Sequence, residues 1–139
     1  MNISIEQYLK RLASDLKFPE LYKSEGANHF KMQIPEIESI EVFVKENSVE
    51  LICPIAQVIE NVDEEKLFSY LMNANFLGQG TGRSILGLHP NNVTIVLSQV
   101  IFFEIDYAEF KDRIEEMVNY IDYLTGHLLS KIPTFLKES

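Results

Sequence analysis

The sequence holds a single cysteine, Cys53, so no disulfide can form within the chain. No apolar run approaches the roughly 20 residues that span a bilayer as a helix, and membrane insertion is not expected. The opening "MNISIEQYLKRL" lacks the long apolar core of a secretory signal, which together with the lone cysteine predicts a cytoplasmic protein. Basic residues are few, 12 Lys and Arg against 21 Asp and Glu, for a formal charge of −9. Nucleic acid and anionic membranes bind through clustered Lys and Arg, so neither is an expected partner.

Low-complexity tracts are absent too. With 46% hydrophobic and 24% charged residues the chain has the composition of a folded protein. Its 139 residues suit one domain covering 1–139, in which about 68% of the unfolded chain's surface becomes buried.

Chemical constellations are equally sparse. His29, His89 and His127 fall in three different segments with no cysteine or carboxylate at ligand spacing, so no metal site is expected. Asn61, Asp63 and Glu65 offer alternating oxygens like a calcium loop, but Lys66 occupies the position that needs glycine and no closing glutamate follows. Cys53 lies in an apolar segment beside Pro54 without a neighbouring base and reads as a packed side chain. Glu115 and Glu116 sit about 100° apart on a helix and do not converge as an acid and base pair. Ser84, His89 and Asp106 could form a triad only on paper, since no nucleophile elbow surrounds the serine. The chain therefore reads as a protein that is not an enzyme.

The periodicity predicts an α+β fold. Ser4 and Gln7 have capping-box spacing, and Ile5, Tyr8, Leu9, Leu12, Ala13 and Leu16 follow at helical spacing up to Pro19. Alternation then marks three antiparallel strands: Phe30, Met32 and Ile34; Ile40, Val42 and Val44; Val49, Leu51 and Cys53. Asp63 caps a second helix that carries Leu67, Phe68, Leu71, Met72 and Ala74 and ends near Asn75. A glycine stretch leads into "SILGL", and "HPNN" turns the chain into the long strand "VTIVLSQVIFF". Asp106 opens the longest helix, with Phe110, Ile114, Met117, Ile121, Leu124 and Leu128 on one stripe, running to Gly126 or on toward Pro133. The predicted order is helix, three strands, helix, two strands, helix, with a twisted antiparallel sheet covered by helices.

The glycine stretch, Gly78, Gly80 and Gly82 followed by Arg83, superficially suggests a phosphate loop. A phosphate loop follows a strand and opens a helix, because the helix N-terminus holds the anion. Here the loop leaves a helix and enters a strand, so the glycines read as a helix C-cap and a tight structural turn. A nucleotide- or small-molecule-binding regulator stays as a rival reading, and a general cytoplasmic interaction adaptor is a second.

One long helix is enough to cover one face of a small sheet, which leaves the stripes of the first two helices in excess. Such surface is either core or a partner site, and pattern alone leaves both open. For the second helix, twofold self-association is one use.

The segment "LMNANFLGQGTGRSILGLHPNNVTIVLSQVIFFEIDYAEFKDRIEEMVNYIDYL", residues 71–124, resembles the class I type III secretion chaperones, the Tir-chaperone-like family. That family has a helix ending in Asn and apolar residues, a glycine-bearing turn, an "LGL" strand, a tight turn, a long strand and a final amphipathic helix. His89 departs from the pattern, since an acidic residue is commoner in that turn.

The resemblance implies a bacterial, cytoplasmic homodimer that takes part in virulence. It would bind the N-terminal segment of secreted effectors, keep them export-competent and deliver them to the secretion apparatus. It implies no cofactor and leaves open a contact with the secretion ATPase. Carried onto this chain, the effector groove would use Ile5, Leu9, Leu12, Leu16, Phe30, Met32 and Ile34, with a strand of client added to a sheet edge. The dimer contact would use Leu67, Leu71, Met72, Asn75, Ile85 and Leu86, with Gly78, Gly80 and Gly82 as the structural turn beside it.

Overall fold

The computed structural model describes residues 5–58, 61–78, 81–90, 94–102 and 104–136. The elements run α1 (Ile5–Asp15), β1 (Tyr22–Gly26), β2 (His29–Met32), β3 (Ile40–Val44), β4 (Ser48–Gln57), α2 (Glu64–Asn75), β5 (Ile85–Leu88), β6 (Thr94–Phe102) and α3 (Tyr107–Lys131). Short 3₁₀ turns follow α2 at Phe76–Gly78 and α3 at Ile132–Phe135. The α+β class and the antiparallel sheet agree with the sequence pattern, with one strand more. That strand is β1, whose residues are exposed apart from a half-buried Tyr22, so it carries no apolar alternation to betray it.

The six strands form one antiparallel sheet in the order β1-β2-β3-β4-β6-β5. Strict alternation fixes the register of its centre: Val49, Leu51, Cys53 and Ile55 of β4, and Ile95, Leu97, Gln99 and Ile101 of β6, all point to the buried face. A one-residue slip would turn this whole set to solvent. Pro54 is tolerated inside β4 because the pairing with β3 stops at Ile52 and the ladder with β6 shifts between Pro54 and Ala56.

Helix α3 lays Phe110, Ile114, Met117, Ile121, Leu124 and Leu128 on that face, each buried. It runs past Gly126 to Lys131, within the range that the pattern allowed. Asp106 caps it, Oδ1 accepting from the Glu109 N–H at 2.8 Å. Asp63 caps α2 in the same way, Oδ1 accepting from the Lys66 N–H at 3.3 Å. The expected capping residue of α1, Ser4, lies outside the described residues.

Helix α1 joins the same core. Ile5, Leu9, Leu12 and Ala13 are buried, while Leu16, one residue past its end, is exposed. The far end of the chain closes on α2: Asp63 N–H donates to the Phe135 carbonyl, and Val62 bridges Leu136.

Candidate functional site: an apolar groove and an outward helix face

Where α1 ends, the chain turns through Phe18 and Leu21 into β1, and an open apolar groove of about 410 Å³ lies between this turn and α3. Leu12, Leu16, Phe18 and Leu21 form one wall, Ile114 and Val118 of α3 the other, and Met32, Ile34 and Pro35 lie between them. Glu115 and Asn119 supply the polar side chains at the lip. Leu16 is 49% exposed, so a large aliphatic side chain stands at the mouth without covering.

Of the seven residues that the resemblance assigned to an effector groove, Leu12, Leu16, Met32 and Ile34 meet here. Ile5, Leu9 and Phe30 do not; each is buried in the protomer's core with no face toward the groove. The reason lies in the helix period. Ile5, Leu9 and Leu12 share one stripe, which α1 turns toward the core, and only the last turn and the residue beyond it reach the opening. Sequence reasoning missed Phe18 and Leu21, which follow α1 without a period, and Val118, which sits one step off the main stripe of α3.

Helix α2 divides its apolar residues between two directions. Leu67 and Leu71 face the core, as does Leu86 of β5, so these three members of the expected dimer set are buried within the protomer. Met72 and Ile85 of that set face outward, 73% and 63% exposed. Phe68 and Phe76, four residues to either side of Met72, are exposed on the same side of the helix. Asn75, the last member, is half-buried, and both ends of its amide bond the Leu86 backbone.

The glycine turn has a steric cause. Gly78 and Gly82 both have positive φ, +70° and +63°, a region in which a Cβ is costly. A Cβ on Gly82 would also stand 2.6 Å from Tyr120 Cε2 and 2.7 Å from Glu116 Oε1 of α3. Gly80 lies outside the described residues. Arg83 then clamps the turn onto α3, donating to Asp112 Oδ2 at 2.7 Å and to Glu116 Oε1 at 3.2 Å. Burial alone would raise the Glu116 carboxyl, but the bonds from Arg83 outweigh it and hold the group below its ordinary value. A phosphate at this turn would confront two carboxylates, and the Arg83 guanidinium already serves both of them.

Four other reactive side chains are engaged in structure. Ser84 is buried and accepts from Gln99 Nε2 at 2.9 Å. Burial, with the Glu38 carboxylate second, pushes the Cys53 thiol up to about 12, far from a thiolate at neutral pH. His29 pairs with Glu41, and His127 with the Tyr70 hydroxyl.

The sequence model of the Tir chaperone protein (CesT) family matches residues 7–125. The chain belongs to that family. The match includes both the groove and the outward face of α2, so the two surfaces fall within the family's own fold.

Among solved structures, this family member is similar to the ExoU–SpcU complex from the type III secretion system of Pseudomonas aeruginosa. The identity is 14%, the match covers 98% of this chain and 100% of that one, and the TM-score is 0.63. It is also similar to the ExsC–ExsE complex, at 12% identity, 90% and 95% coverage and a TM-score of 0.69. YbjN, a putative transcription regulator from E. coli, shares the fold at 10% identity, 98% and 97% coverage and a TM-score of 0.59. At such identities the likeness carries the fold alone, and the family match carries the chaperone assignment. No curated protein sequence matches the chain at a significant level.

Proposed function

We propose that this type III secretion chaperone acts as a homodimer in the bacterial cytoplasm. It holds the N-terminal segment of one or more secreted effectors in extended form, without catalysing any reaction, and hands them to the secretion apparatus. The observation that carries this reading is the open groove, where Leu16, Ile34 and Val118 leave apolar surface uncovered by the protomer itself.

The energetics favour a long client. Each client side chain buried in such a groove contributes roughly 1.5–3 kcal/mol, while each client residue that becomes ordered costs about 1–2 kcal/mol. One anchor therefore does not suffice, and several must be arranged along one extended segment. Backbone bonds to a sheet edge would add affinity that hardly depends on client sequence. The edge strand β1 begins one residue after Leu21, a wall of the groove, which puts an edge beside the anchors.

Self-association through α2 gives a second use of uncovered apolar surface. Phe68, Met72 and Phe76 with Ile85 offer a patch that a twofold axis could pair with itself.

Purification of the tagged protein from its own cell, with mass spectrometry of what accompanies it, tests the reading. A secreted protein bound through its N-terminal segment is the expected result. Bound proteins with no relation to export would favour a general adaptor instead.

A further inference from the structure

Strand β5 is one of the two edges of the sheet, so half of its backbone polar groups point away from β6. Pairing decides which half. The His89 N–H donates to the Thr94 carbonyl, and bonded pairs alternate with non-bonded ones along an antiparallel ladder. Counting back through Leu88 opposite Ile95, Gly87 opposite Val96 and Leu86 opposite Leu97, the N–H and C=O of Leu86 and Leu88 face outward.

Asn75, the last residue of α2, sets its side-chain amide against the first of these. Nδ2 donates to the Leu86 carbonyl at 2.7 Å, and Oδ1 accepts from the Leu86 N–H at 2.8 Å. An amide carries one donor face and one acceptor, as a residue of an adjoining strand does. Aspartate would keep only the acceptor, and leucine neither. The position matters because Met72, Phe76 and Ile85 leave exposed apolar surface around this edge. An open edge flanked by apolar side chains is a template on which another chain can pair.

We propose that Asn75 guards this edge: its amide stands in for one residue of a neighbouring strand and bars a second copy of this chain from extending the sheet at β5. Copies then have no continuous edge to zip along, and the outward apolar side chains of α2 can meet a partner without the sheets fusing. The inference goes beyond client binding and does not depend on it.

Hydrogen exchange and light scattering on Asn75→Leu and Asn75→Ala, which both remove the donor and the acceptor, test the guard. In the unaltered protein the Leu86 amide should exchange slowly although it lies on an edge. In both variants it should exchange faster by about tenfold, and particle size should grow with concentration. Adding Ile85→Lys to Asn75→Leu should suppress the growth by placing a charge at the edge while leaving the fast exchange. If Asn75→Leu fails to fold, Asn75→Ala with and without Ile85→Lys supplies the same two readings. A folded variant with unchanged Leu86 exchange, or with fast exchange and no association at any concentration, overturns the proposal.

Discussion

The Tyr107 hydroxyl donates to Asp15 Oδ2 at 2.6 Å and so joins the first residue of α3 to the last residue of α1. Tyr8 of α1 adds a second tie to the Ile105 carbonyl at 3.0 Å, and the Arg11 guanidinium lies 4.1 Å from the centre of the Tyr107 ring. Because α1 and α3 carry opposite walls of the groove, these ties hold its width.

Replacing Tyr107 by phenylalanine removes the bond to Asp15 and should destabilise the fold by about 1 kcal/mol, read as a lower urea midpoint. It should also change the response to alkali. Burial, followed by the Asp15 carboxylate, pushes the Tyr107 hydroxyl up to about 12 in the folded chain, above its unfolded value near 10. A group with a raised folded value gives stability that is complete below the unfolded value and is lost as pH rises through the folded one. Cys53, also raised to about 12, acts in the same direction from about pH 9 upward. The urea midpoint should therefore fall from about pH 9 to 12, and more gently in Tyr107→Phe and in Cys53→Ala.

A charge at the mouth of the groove should block a client without harming the fold. Leu16→Asp and Ile34→Asp alter an exposed and a half-buried residue, so the circular dichroism of each should match the unaltered protein. Loss of one anchor should weaken binding of an effector segment by roughly 10- to 100-fold in titration calorimetry. Leu9→Asp should unfold the protein instead, because Leu9 is fully buried in the core.

On α2 the same contrast separates surface from core. Met72→Glu should convert the proposed dimer to a monomer in light scattering while leaving the secondary structure intact. Leu71→Glu should lose the fold itself, since Leu71 is 6% exposed.

The two glycines of the turn should respond unequally. Gly78→Ala meets open space and bears only the cost of its positive φ, about 1 kcal/mol. Gly82→Ala also drives a methyl against Tyr120 and Glu116 and should cost roughly 3 kcal/mol, loosening the Arg83 clamp. Thermal melts of the two variants measure the difference.

Much of this fold is legible in the chain, because β4, β6 and α3 each have one buried face and so write their period into the sequence. Edge strand β1 buries nothing completely and leaves no such trace. The surfaces were harder to read than the elements. An apolar stripe looks the same whether it meets core or partner, and so Leu9 and Leu71 could not be told from Leu16 and Met72 by pattern. Resolving them needed the direction in which each helix turns its stripe. The sequence pattern showed Asn75 as the end of a helix and the resemblance placed it in the dimer contact, but neither showed its bonds to Leu86, which lies across the glycine turn.

The central claim, that the groove beside Leu16 receives an effector's N-terminal segment, is tested most directly by a photo-crosslinking amino acid at position 16 in the native cell. The account predicts crosslinks to the N-terminal segment of a secreted protein, lost when Ile34→Asp is added. Position 123, exposed on α3 outside the groove, should give none. Equal crosslinking at both positions, or crosslinks at position 16 that survive Ile34→Asp, would contradict it.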